Sequence, residues 1–263
     1  MDIASLAGIL IAFIMLIGAF LLEGGSMGML LVGTAAMIVF GGTIGATVIS
    51  FSMDEIKKVP YFLKTVFKSD PIDFNEYLEV LVKNADKARR EGFLSLENQL
   101  DQIDNVFLAK GLQMVIDGTD PELTQSILEM EIEVYEKNEM LGSQIFMTAG
   151  GYAPTMGIIG TVMGMVNVLS NLSTPDELGG AIAVAFLATL YGIATANLLW
   201  IPFAAKIKNR AKKQVFLMEM MLEGIMSIQG GENPRVLREK LKIFLPSDNR
   251  QETVQQEKEK MVI

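Results

Sequence analysis

The segment GIIGTVMGM, residues 157–165, lies in a window from Met140 to Pro175 that holds no charged residue. Crossing a hydrocarbon core about 30 Å thick takes ~20 apolar residues in a helix. The run Leu141–Leu172 is long enough, and so are Ile3–Leu22, Gly28–Ser52 and Leu178–Ala205. None of the four contains Asp, Glu, Lys, Arg or His. The reading is an all-α integral membrane protein with four transmembrane helices in two hairpins. A helical cytoplasmic insert separates spans two and three. The first run lacks a basic leader, its apolar part is too long for a signal peptide, and LLEGGS is a poor cleavage site, so it reads as a retained span.

Composition narrows the chemistry. The 263 residues include no cysteine and no histidine, which excludes disulfides, thiolate metal sites and imidazole proton relays. No nucleophile–base pair or metal cluster is expected near the membrane, so an enzyme is not predicted. No cofactor and no nucleic-acid partner are predicted either. The net charge of -9 is less informative than its distribution. Ten Lys and Arg lie between Lys57 and Lys137, twelve between Lys206 and Lys260, and none elsewhere. The positive-inside rule then turns the loops Glu23–Met27 and Ser173–Glu177 outward and leaves both termini and the middle segment in the cytoplasm.

The chain divides accordingly. Residues 1–52 carry spans one and two, 53–140 a cytoplasmic helical domain, and 141–205 spans three and four. Residues 206–246 form C-terminal cytoplasmic helices, and 247–263 are a polar, disordered tail. The first hairpin turns at EGGSMG. At the second, Thr174 caps a helix that begins at Pro175, with Glu177 completing a capping box. The segment Met53–Asp70 mixes Lys57, Lys58, Lys64 and Lys68 with Tyr61, Phe62, Leu63, Val66 and Phe67. Two readings are open for it: a helix lying on the membrane surface, or a buried linker helix. Asp73 and Glu76 open the next helix, and shorter amphipathic pieces follow as far as Gly118. Asp120–Pro121 opens another. Leu123, Ile127, Met130, Val134 and Leu141 recur at helical spacing, and no breaker precedes the third span. One helix from about Pro121 to Leu172 is predicted.

Two hydroxyls stand out in the membrane. Thr161 is eleven residues from Leu172, and Thr189 eleven from Leu178. At 1.5 Å per residue both lie about 16 Å below the outer surface. Gly157, Gly160 and Gly164 flank the first; Ala181, Ala185, Ala188, Gly192 and Ala196 flank the second. Such small-residue stripes admit a close backbone. Either they serve plain helix packing, or the two threonines form one site. An intramembrane proton path usually needs a carboxylate. This chain has none in its spans, so a partner helix must supply it. Pro154 and Pro202 are expected to match in depth near the cytoplasmic ends of their helices, as hinges or as static kinks.

YAPTMGIIGTVMGM (152–165), AVAFLATLYGIATANLLWIPFA and KARREGFLSLE (87–97) together resemble the flagellar motor stator A subunits, the MotA/PomA family. The likeness runs from the first span through FLP at 244–246. Spans three and four alone also resemble the three-span ExbB and TolQ channels, which leaves an ExbB/TolQ-like proton-channel energiser of an envelope system as the alternative. The family resemblance implies an ion-conducting stator subunit in the bacterial cytoplasmic (inner) membrane. It implies a homo-oligomeric ring, a pentamer, around a MotB/PomB-type B subunit whose membrane aspartate faces Thr189. Arg89 and Glu97 match the residues that touch a FliG-type rotor switch protein. Pro154 and Pro202 match the family's two functional prolines. Sodium-type members tend to carry threonine at the position of Thr161, yet the ExbB-like relatives carry both threonines and use protons. The expected ion is H⁺, with Na⁺ as the alternative.

Overall fold

The computed structural model describes residues 2–69, 72–170 and 175–245. Every regular element among them is a helix. The first span, α1 (Ile3–Leu22), buries none of its residues. An apolar helix with no buried residue needs surroundings as apolar as itself over the face its neighbours leave uncovered. A 3₁₀ turn (Met27–Leu30) leads to the second span, α2, which starts as Gly33–Ala36, widens into a π turn (Met37–Gly41) and resumes as Gly42–Ser50. Two short helices follow, α3 (Met53–Ile56) and α4 (Val59–Phe67). Next come α5 (Phe74–Glu91), a 3₁₀ turn (Phe93–Leu96), α6 (Glu97–Leu100) and α7 (Val106–Ile116). The third span belongs to α8, a single helix from Pro121 to Ser170. The fourth belongs to α9, which runs Pro175–Thr195, passes a π turn (Ala196–Trp200) and continues Ile201–Gln229. The last helix is α10 (Pro234–Leu241). The predicted Thr174 cap and the tail 247–263 lie outside the described residues.

The described residues of 1–69 and 138–210 form one compact unit. In it α2 packs on the first part of α9, where Ala35 and Val39 bury against Ala188. The first span packs on α4 and on the π turn of α9. Phe62 and Val66 of α4 bury among Ile145, Phe146, Phe203 and Ile207. Gly142 makes room, since a Cβ there would lie 2.5 Å from the Phe62 ring. One face of α4 is therefore buried against the spans, while Tyr61 and Leu63 remain exposed on it. The Tyr61 hydroxyl donates to the buried Glu139 carboxylate at 2.9 Å. Burial first, and that carboxylate second, push the Tyr61 phenol above its ordinary range. Arg210 closes the C-terminal end of α4 by donating to the carbonyls of Thr65 and Lys68 at 3.0 and 2.8 Å, groups that a helix end leaves without partners.

The described residues of 70–137 and 211–263 form the second unit. Its core joins Leu78 and Leu81 of α5, Leu108 and Leu112 of α7, Leu128 of α8, Met220, Met221 and Ile225 of α9, and Leu237 and Leu241 of α10. Asp120 opens α8 by accepting from the amides of Glu122 and Leu123, and Gly118 (φ 70°) closes the preceding segment. The buried stripe of α8 here is Thr124, Leu128 and Ile132. The periodic residues Leu123, Met130 and Val134 point outward instead, each more than half exposed. Two interleaved apolar stripes fit this segment equally well, and the core took the one set 100° away.

Asp2 holds the start of α1 in place. Its amide donates to the Phe67 carbonyl at 2.9 Å and its carboxylate pairs with Lys206 at 2.5 Å. The Lys206 hydrogen bond, with help from Ser5, lowers the Asp2 pKa from 3.8 to about 2. A depressed carboxylate contributes its stability above its unfolded pKa and loses it as pH falls toward the folded one. Amide exchange at the start of α1 should therefore accelerate as pH drops from about 4 toward 2, beyond the intrinsic pH effect on exchange. Lys206→Met should remove that extra acceleration.

Candidate ion site

Helices α8 and α9 lie antiparallel and closer than ordinary side chains allow. A Cβ on Gly157 would sit 2.8 Å from the Ala188 carbonyl oxygen and 3.0 Å from the Thr189 Cα. On Gly164 it would meet Ala185 at 2.6 Å, on Gly160 Ala188 at 2.6 Å, and on Gly192 the Ala153 carbonyl oxygen at 2.5 Å. The two small-residue stripes thus face each other within one chain. Further inward the Ser143 hydroxyl donates to the Ala204 carbonyl across the same seam, at 2.9 Å.

The seam brings the predicted threonines together. The Thr161 and Thr189 hydroxyl oxygens are 2.5 Å apart. The Thr161 hydroxyl also lies 2.8 Å from the Ala185 carbonyl and 3.2 Å from that of Gly157. The Thr189 hydroxyl lies 3.4 Å from the Gly157 carbonyl. Each hydroxyl has one proton, so these contacts are a shared set rather than simultaneous bonds. Both threonines are half-buried. Flanking them, Ile158, Val162 and Phe186 expose more than half of their surface. The site is a neutral cluster of two alcohols and backbone carbonyls set in an apolar wall. Among the described residues no group of His, Cys, Asp or Glu could hold a metal ion.

The remaining predicted residues lie apart from this cluster. Pro154 is carried inside α8 without ending it. Pro202 lies two residues beyond the end of the π turn Ala196–Trp200. Proline has no N–H to donate and crowds the preceding turn; a wide turn upstream is one way a helix absorbs both effects. A Cβ on Gly150 would touch Ile201 at 2.7 Å, so Pro202 lies more than a turn inward of Pro154 rather than level with it. Arg89 lies in the last turn of α5, and Glu97 starts α6. Gly92, with φ 82°, separates them, so they do not share one continuous helix face. Both are exposed, and neither makes an ion pair among the described residues.

One residue beside the site escaped the sequence reading. The Tyr191 hydroxyl accepts from the Val32 amide at 3.1 Å and donates to the Leu30 carbonyl. Leu31 and Val32 are not helical, and nonhelical backbone at membrane depth needs polar partners from the protein. The phenol supplies both. Its signal in the sequence was a tyrosine within a span, where a hydroxyl must find a partner.

Residues 6–92 match the family model described as motility protein A N-terminal, and residues 99–220 match the MotA/TolQ/ExbB proton channel family. Motility protein A of Bacillus subtilis is 42% identical over 95% of this chain and 93% of its own length. This chain belongs to the motility protein A family. The chemotaxis protein PomA of Vibrio alginolyticus is 34% identical over 95% of this chain and 98% of its own. The solved flagellar MotAB stator complex of Bacillus subtilis aligns with a TM-score of 0.89 at 41% identity, covering 95% of this chain and 98% of that one. The C. jejuni MotAB structure aligns with a TM-score of 0.90 at 30% identity, covering 94% and 97%. Membership in the motility protein A family makes the chain an ion-conducting stator subunit and a multi-pass inner-membrane protein. The envelope-energiser alternative is less supported.

Two substitutions test the geometry. Gly192→Ala places a methyl on a backbone oxygen that cannot step aside, and should cost about 1–3 kcal/mol by overpacking, read as a lowered unfolding temperature in detergent. Tyr191→Phe leaves the Val32 amide and Leu30 carbonyl unpaired, at about 1–3 kcal/mol. Hydrogen exchange at Val32 should rise sharply while exchange across Gly42–Ser50 stays unchanged.

Proposed function

We propose that the Thr161–Thr189 cluster is the station at which a partner's membrane carboxylate is neutralised by the transported ion. The observation carrying this reading is a paired hydroxyl site in spans that hold no Asp, Glu, Lys, Arg or His of their own. A carboxylate brought to the half-buried threonines meets an alcohol donor while charged and an apolar wall once neutral. Neutralisation lowers the cost of facing Ile158, Val162 and Phe186, which releases the side chain to move on to the next copy of the chain.

The partner is a MotB/PomB-type B subunit, consistent with the MotAB composition of the aligned complexes. Movement from copy to copy requires a homo-oligomeric ring, read here as a pentamer. The outward apolar stripe of Leu123, Met130 and Val134 is the kind of surface such a neighbour covers. The ion is a proton. The alcohols already satisfy one another and nearby carbonyls, so binding Na⁺ would mean opening that set, whereas protonating a carboxylate leaves it closed. Both termini lie in the cytoplasm, following the placement of Lys and Arg. Arg89 and Glu97, exposed on two helices either side of Gly92, engage a FliG-type rotor protein through charge. Pro154 and Pro202 act as hinges between the membrane station and that contact.

Thr189→Val, which keeps the shape and removes the alcohol, should cut motor torque at least tenfold without loss of membrane insertion. Unchanged torque overturns the assignment. Torque at fixed pH should not change with sodium concentration; a sodium requirement would move the ion assignment to Na⁺. Arg89→Glu should weaken rotor engagement while the ring still assembles.

A further inference from the structure

A cavity of 320 Å³ opens between α2, the α3–α4 segment, the inner part of the third span and Trp200. Thr43, Thr47, Val59, Leu63, Phe146 and Ala149 are among its lining residues, and no polar atom is exposed on its wall. An apolar cavity of about 150 Å³ already stays dry and takes an apolar guest, and this one is more than twice that volume. Its rim reaches Ile44 and Leu63, 54% and 40% exposed, so it opens to the medium that surrounds the spans. For a multi-pass membrane protein that medium is lipid. Val59 and Leu63 at the rim adjoin Lys58 and Lys64 in sequence, both exposed, in a position to meet a phosphate headgroup.

Behind the wall lies a second observation. The Thr43 hydroxyl and the Trp200 indole nitrogen are buried without any hydrogen-bond partner in the chain, and Thr43 is only 1% exposed. Buried polar groups in folded proteins are nearly always paired. Both residues line the cavity through apolar atoms, and their polar atoms lie just behind its wall, where a small side-chain turn would present them to an occupant. Trp200 itself lies stacked near Phe146, with ring centroids 6.2 Å apart, and tryptophan favours the depth at which lipid chains meet their polar heads.

We infer that this cavity is a binding site for one phospholipid acyl chain, drawn from the leaflet that contacts α4. The chain fills the apolar volume between α2 and α8. The ester carbonyl at its head is the acceptor that a modest turn of the Trp200 or Thr43 side chain can reach. The lipid thereby becomes a packing element between the second span and the helix that carries Thr161. The inference rests on the membrane placement of the spans, not on the proposed role of the threonines.

Trp200 is the single tryptophan of the chain, so its fluorescence reports directly on this cavity. The full-length chain is reconstituted into vesicles of phosphatidylcholine whose acyl chains carry bromine, a contact quencher of indole, and into unbrominated vesicles. Expected is at least a twofold loss of Trp200 emission in the brominated vesicles. A reference variant, Trp200→Phe with Ile11→Trp, places the indole on the exposed surface of α1 and reports ordinary surrounding lipid. Native quenching should exceed that of the reference. Filling the cavity with Ala149→Phe, or separately Val48→Phe, should restore most of the Trp200 emission; adding either to the reference should change nothing. Absence of quenching in the native chain, as when a neighbouring copy seals the opening, overturns the proposal. So does native quenching no greater than the reference, or quenching that survives both filling variants. Torque loss in Thr189→Val would be unaffected by any of these outcomes, which keeps the two readings separable.

Discussion

The structure depends on how closely two backbones can approach inside lipid. Apolar tails offer no hydrophobic drive for one apolar helix to seek another, so contact rests on packing and on whatever polar groups can be shared. Glycines at 157, 160, 164 and 192 remove the side chains that would hold α8 and α9 apart. Alanines at 153, 185 and 188 present the smallest surface that still packs. Only at this separation do two threonine hydroxyls meet across the seam and reach the carbonyls of the opposite helix. The polar cluster is a product of the tight seam, and it also stabilises the seam.

That economy explains why the site contains no charge. An unpaired carboxylate in a seam this tight would carry its full desolvation cost in the empty protein. Two alcohols can satisfy one another in the meantime and exchange partners at little cost. A wall built this way suits both a charged and a neutral visitor, as the proposed station requires.

Much of this architecture was legible from residue spacing. The four spans, the start of α9 at Pro175 and the unbroken run from Pro121 follow from hydropathy, a proline at a helix start and the lack of any breaker. The meeting of Thr161 and Thr189 followed from counting equal distances down two antiparallel helices. The buried stripe of α8 did not follow, because Leu123, Met130 and Val134 are as periodic as Thr124, Leu128 and Ile132, and only tertiary packing decides between them. Nor did the π turns at Met37–Gly41 and Ala196–Trp200, since a widened turn costs too little to leave a clear mark in composition. Tyr191 was missed because its partner is a stretch of backbone about 160 residues away, and no local pattern encodes that.

The widened turn at Ala196–Trp200 sets the angular phase of everything that follows it in the same unit. A helix advances about 100° per residue, so one surplus residue swings the downstream faces by more than a quarter-circle. Phe203, Ala204 and Ile207, downstream of that offset, lie buried against α4 and the third span, while Thr189 upstream keeps its own bearing toward Thr161. The turn is in effect a vernier between the two. A lineage that shed or gained a residue there would re-aim its inner helical surface without altering a single side chain at the hydroxyl pair.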